Sequence, residues 1–201
     1  MKARELAVEG AFEFVPEVFP DHRGLFVSPF QHEAFEAAVG RPLFPVAQLS
    51  TSTSRRGVLR GVHFTRTPPG CAKYVHCARG RVLDVVVDLR VGSPTFGRWD
   101  AVELSGEDFR GVYLPTGVGH AFTALENDSA VCYLLSRGYD PANELALSPV
   151  DPELGLPWPD SVVPVLSERD RDAVSFAGAR AAGLLPEYQE CLRSDMAPDR
   201  G

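Results

Sequence analysis

Lysine is nearly missing from this chain: Lys2 and Lys73 stand against 18 arginines. With arginine as the default cation, the single internal lysine stands out as a residue chosen for its own chemistry. Cysteine is also sparse. Cys71, Cys77, Cys132 and Cys191 include no CxxC pair, and the opening "MKARELAVEGAFEF" has no apolar stretch of the kind a secretion signal carries. The reading is a cytoplasmic protein with free thiols. No apolar run approaches the roughly 20 residues of a membrane-spanning helix, which sets a membrane protein aside. A net charge of −7 supplies no clustered basic surface for a nucleic-acid backbone, although a local anion site stays open.

What the chain has in quantity is turn formers, 18 glycines and 17 prolines in 201 residues. A chain of this length fits one domain, here 1–201, burying about 70% of the surface that its unfolded form exposes, with no staple required. The segment "AFEFVPEVFPDHRGLFVSPF" alternates like strand and is broken by Pro16, Pro20 and Gly24. A short helix is expected at "QHEAFEAAVG", where Phe35 and Val39 are spaced i, i+4 and Gly40 can cap the end. From Pro45 to about Tyr139, short strands follow one another between turn signals such as "RRG", "TPPG", "ARGR", "SGED" and "ENDS". The pattern predicts an all-β sandwich or barrel with short peripheral helices. Beyond a proline-rich stretch, "DAVSFAGARAAGLL" reads as a C-terminal helix, placed at about 170–195.

Several charged and polar residues stand inside these strands. If a tight hairpin centres on Arg79-Gly80, Val75 faces Asp84 and Lys73 faces Val86, so that Lys73 and Asp84 become diagonal neighbours on one face. "VLDVVVDLR" is otherwise apolar, so Asp84 is expected to be buried, with Lys73 its partner. A structural ion pair or a snorkelling lysine explains this as well as chemistry does. Strict alternation sends Arg60 and His63 to opposite faces, and Gly61 between them suggests a bulge that re-aims one of the two. His63 also fits a hydrogen-bonded core position, and Arg60 a solvated edge. Tyr133 can be core packing, His120 follows a glycine-rich turn, and Asp170 fits a helix N-cap.

Taken together, "DHRG", "GVLRGVHF", "AKYV", "DVVVDLRVGSPTFGRW", "LPTGVGHAF" and "LSERD" resemble the dTDP-4-dehydrorhamnose 3,5-epimerase family over about Phe19 to Asp170. The resemblance implies a cupin-like jelly roll, a homodimer, a dTDP-4-keto-6-deoxyhexose substrate, and no metal or organic cofactor. It implies His63 as the general base oriented by Asp170, Lys73 as the stabiliser of the C4 oxyanion, Asp84 as its support, and Tyr133 as the proton donor on the opposite face. Arg23, Gln48 and Arg60 would hold the diphosphate, Phe26 and Tyr139 would pack near nucleotide and sugar, and Ser50 and His120 complete the substrate-binding set. A base and a cation must act together because a proton beside a ketone is acidic only when the enolate is stabilised. Ser28, Ser50, His76 and "GVHFT" depart from the family pattern, as in epimerases of antibiotic-sugar pathways that invert only C3 or only C5. His76 has the opposite strand parity to Lys73 and is left out of the site. Two rival readings are a metal-dependent cupin isomerase or oxygenase, and a non-catalytic sugar-nucleotide binding module. The first wants closely spaced histidines with a carboxylate shortly after, whereas Phe64 and Thr65 follow His63.

Overall fold

In the computed structural model, which describes residues 1–196, strand alternation fills one interior from two sides. The last five residues of the expected 1–201 domain lie outside the described residues. Among the described residues, a six-stranded sheet runs in the order β1 (Lys2–Glu5), β2 (Phe12–Val15), β10 (Gly111–Leu114), β7 (Lys73–Arg79), β12 (Ser129–Leu135) and β5 (Gln48–Ser54). A five-stranded sheet runs in the order β13 (Glu144–Ala146), β6 (Leu59–Thr65), β11 (Val118–Ala124), β8 (Arg81–Asp88) and β9 (Trp99–Ser105). Neighbours within both sheets are antiparallel. A third pair, β3 (Val18–Asp21) and β4 (Gly24–Val27), forms a separate two-stranded ribbon. The result is the all-β sandwich that the turn spacing predicts, jelly-roll-like as the resemblance implies.

Inward residues of the two sheets meet in one cluster that includes Val75, Cys77, Val82, Val86, Leu104, Phe122 and Val131. Each outer face has its own apolar cover. Phe35 of α1 (His32–Val39) packs with Phe14, Tyr74 and Tyr113 on the six-stranded sheet, and its ring lies edge-on to Tyr113 at 5.0 Å. The helix ends as expected, with Gly40 left-handed at φ 79° and its N–H bonded to the Glu36 carbonyl. Leu147, Leu154, Phe176, Ala179 and Leu185 cover the outer face of the five-stranded sheet.

A buried polar knot joins both chain ends to β8. Asp88 accepts Arg90 on both oxygens, at 2.8 Å each, together with the hydroxyls of Ser93 and Thr95. Arg90 also donates to the Glu9 carbonyl and lies 5.1 Å from the Tyr188 ring centre. Burial works against the Asp88 charge, but these donors outweigh it and hold the carboxyl below its usual range.

Three expectations need correction. The turn at Arg79-Gly80 is not a hairpin: β7 pairs with β10 and β12, whereas β8 pairs with β9 and β11. Gly80 carries the chain from one sheet to the other at φ 71°, close against Ser129, so no β7–β8 ladder exists. The single C-terminal helix is three short ones, α2 (Glu168–Arg171), α3 (Phe176–Ala181) and α4 (Tyr188–Met196). Ser167 and Ser175 each cap a new start, and Gly183 at φ 65° followed by Pro186 separates the last two. Pro20 does not break a strand either; it lies within β3, in a ribbon where a missing N–H is tolerated.

Candidate active site

The bulge expected at Gly61 is present, and it settles the parity problem of Arg60 and His63. His63 pairs with His120 and Arg60 with Phe122, so β6 spends one residue more than β11 over the same span. His120 and Phe122 share the inward face of β11, and their partners Arg60 and His63 are therefore aligned on one face. Gly61 makes this fit at φ 120°: a Cβ there would lie 2.5 Å from both the His120 carbonyl oxygen and the Ala121 Cβ.

His63 Nε2 lies 2.6 Å from Asp170 Oδ1. An ionised carboxylate only accepts, so Nε2 donates and Nδ1 carries the basic lone pair. Asp170 is buried in α2, and its own N–H is held by the N-cap Ser167. Burial pushes the Asp170 carboxyl up, yet the bond and charge of His63, helped by Ser167, more than offset it and leave the carboxyl below its usual range. The N-cap reading is thereby corrected: Ser167 is the cap, which frees the Asp170 side chain for His63.

Lys73 stands at the inward start of β7, only 8% exposed, and no carboxylate or carbonyl bonds its ammonium among the described residues. The expected Lys73–Asp84 ion pair is absent. Asp84, facing inward from the other sheet, instead binds His120 Nε2 at 2.7 Å, across the diagonal of the β8–β11 ladder. Its second oxygen, Oδ1, is buried without a hydrogen-bond partner. The His120 ring meets Tyr133 edge-on at 5.9 Å, and the Tyr133 hydroxyl lies 3.1 Å from Ser52 Oγ. Burial pushes this phenol well above the usual tyrosine range, only partly countered by Ser52. Two histidine–carboxylate pairs, an unpartnered ammonium and a phenol thus face the interior from two sheets.

The family model for dTDP-4-dehydrorhamnose 3,5-epimerase matches residues 5–178. This chain belongs to that family. It is 51% identical over 191 residues to a dTDP-4-dehydrorhamnose 3-epimerase of Streptomyces niveus, covering 95% of this chain and 91% of the relative. Identity is 50% over 191 residues to a dTDP-4-dehydrorhamnose 3,5-epimerase of Mycolicibacterium smegmatis, covering 95% and 94%. The crystal structure of a 3′-monoepimerase from Streptomyces bikiniensis in complex with dTDP-quinovose superimposes with a TM-score of 0.90 at 48% identity, covering 96% of both chains.

In this epimerase-family chain, the edge strand β5 lines the same interior. Gln48, Ser50, Ser52 and Ser54 alternate onto its inward face, while Leu49, Thr51 and Thr53 point out. Gln48 donates to Ser50 and accepts the Tyr139 N–H, and Arg60 donates to Ser54. Sequence reasoning missed Ser52 and Ser54, although period-2 alternation from Gln48 and Ser50 was the signal that leads to them. Tyr139 is exposed. A cleft of about 270 Å³ beside Gly138 and Asp140 is lined also by Thr65, Cys71 and Glu144, and by none of His63, Lys73 and Tyr133. Arg23 and Phe26 are not brought to the interior: Arg23 pairs with Asp21 at the tip of the β3–β4 ribbon, and Phe26 is 69% exposed. His76 lies on the outer face, between Gly111 and Cys132, as its parity requires. Larger clefts of about 460 and 520 Å³ lie beside α4 and beside the β7–β8 turn, and like the smaller one they are lined by no histidine. Among the described residues, no three histidine, cysteine, aspartate or glutamate side chains gather as metal ligands.

Proposed function

We propose that this chain is an epimerase of a dTDP-4-keto-6-deoxyhexose, working through an enolate with no cofactor. The observation that carries the reading is the convergence of the His63–Asp170 pair, the partnerless Lys73 and the Tyr133 phenol on one interior. His63 Nδ1 takes the proton from the carbon beside the C4 ketone, and the electron pair of that C–H bond moves onto the C4 oxygen. Lys73, which lacks an anionic partner of its own, stabilises that oxygen. Asp170 holds His63 in the right tautomer and balances the imidazolium that forms. Tyr133 then gives its proton to the carbon from the other face, the C4 carbonyl re-forms, and solvent exchange restores both groups. Asp84 acts through His120 beside the ketone rather than through Lys73.

Arg60, with Gln48 and Ser50 on β5 and Tyr139 beside Gln48, supports binding of the diphosphate and nucleotide. The exposed β3–β4 ribbon supports a homodimer in which Arg23 and Phe26 serve a second copy. Four free thiols fit a cytoplasmic setting.

Incubation with dTDP-4-keto-6-deoxyglucose in deuterated water tests the reading. Deuterium at both C3 and C5 identifies a 3,5-epimerase, and label at one carbon a mono-epimerase. An absence of label at both overturns the proposal for this substrate. His63→Ala should abolish label uptake, whereas Tyr133→Phe should permit uptake but block inversion.

A further inference from the structure

The two faces of β5 carry different chemistry, and its inward hydroxyls are not interchangeable. In the β5–β12 ladder, Ser50 stands directly opposite Tyr133 and Ser52 opposite Val131. Ser50 nonetheless takes its hydrogen bond from Gln48, and Ser54 takes one from Arg60. The Tyr133 hydroxyl leans across the diagonal to Ser52, at 3.1 Å, while the edge of His120 holds its ring from the side. Each of the three serines therefore has its own client, and that of Ser52 is the phenol.

We infer that Ser52 is a positioning residue for proton return: it donates to the Tyr133 oxygen, aims the phenolic proton toward the interior that His63 and Lys73 also face, and stabilises the phenolate left behind. The inference rests on the epimerase reading above. A phenol that donates its proton to a carbon cannot at the same moment donate it to Ser52, so in the reacting state Ser52 must be the donor. As the O–H bond of Tyr133 breaks and the new C–H bond forms, the oxygen becomes an anion in a nearly dry site. The Ser52 hydrogen bond then becomes charge-assisted and strengthens during that step, which is the requirement for a contribution to rate. Burial, with the nearby Asp84 charge, opposes that phenolate, and Ser52 leads the groups that counter it.

Ser52 thus governs the partition of the enolate between return from the His63 face, which gives exchange with retention once the His63 proton has traded with deuterated water, and return from the Tyr133 face, which gives inversion. The test follows both outcomes in deuterated water for wild type, Ser52→Ala and Ser52→Thr. A hydrogen bond to a forming charge is worth roughly 10- to 100-fold in rate. Ser52→Ala should therefore raise the ratio of label uptake with retention to inversion by roughly that factor, with total uptake within a few-fold of wild type. Ser52→Thr, which restores the hydroxyl, should return the ratio to the wild-type value. An unchanged ratio, an equal fall in uptake and inversion, or no rescue by threonine would each overturn the inference. A wild-type protein that takes up no label would overturn the epimerase reading itself, and this inference with it.

Discussion

Replacing Gly61 by alanine probes the feature on which the whole site depends. At φ 120°, an L side chain is strained wherever it stands, and here the new Cβ also meets the His120 carbonyl and Ala121 at 2.5 Å. Backbone strain of this kind costs about 1–3 kcal/mol, and overpacking against backbone about as much again, together about 2–6 kcal/mol. Gly40 supplies the control. It has φ 79° at the end of α1, and a Cβ there would meet nothing within 4 Å, so only the strain remains. Gly40→Ala should cost about 1–2 kcal/mol. With a urea dependence of about 2–3 kcal/mol per molar, a 4 kcal/mol loss moves the unfolding midpoint by about 1–2 M. The same shift rotates Arg60 and His63 off their common face, and displacement of a reacting group by about 1 Å is enough to cost roughly 100-fold in rate. Urea titration and label uptake together measure both consequences. A Gly61→Ala protein as stable as Gly40→Ala, or one with wild-type exchange, would refute the account of the bulge.

Three further outcomes follow from the buried charges. Lys73→Met removes an ammonium with no partner, so it should stabilise the fold by about 1–3 kcal/mol while slowing inversion about 100- to 1000-fold; a destabilised variant would contradict the unpaired state. Arg90→Met leaves the Asp88 carboxylate buried without its counterion, and urea unfolding should register a loss of about 3–5 kcal/mol, against less than 1 if the knot is incidental. Asp170 has a folded-state pKa below its usual 3.8, so its stabilisation is complete above that value and is lost as pH falls below it. The stability gap between wild type and Asp170→Asn should close as pH falls from about 5 toward 3; a gap that instead widens over that range would reverse the assigned direction.

The reach of sequence reasoning differs from residue to residue for physical reasons. Alternation within one strand is local, so it groups Lys73 with Val75 and Asp84 with Val86, the apolar run around Asp84 gives its burial, and Gly61 betrays its bulge. Pairing between strands is not local. The turn signal at Arg79-Gly80 is as compatible with a crossing between sheets as with a hairpin, and the crossing separates Lys73 from Asp84 by the thickness of the sandwich. Once β8 and β11 are known to be neighbours, the His120–Asp84 contact is an ordinary diagonal pair, but nothing in the sequence announces that adjacency. The His63–Asp170 contact spans 107 positions and was legible only through resemblance.

The orientation of His63 is borrowed from a layer outside the sheets. Asp170 sits on a four-residue helix that is tied to the five-stranded side by isolated bridges rather than full ladders, Val165 to Val58 before it and Val174 to Leu147 after it. Segments of that kind open at lower free energy than the sheets they cover. Turnover therefore reports on the seating of the C-terminal layer: mild denaturant should silence the chemistry while the sandwich, judged by its β-sheet signal, still stands.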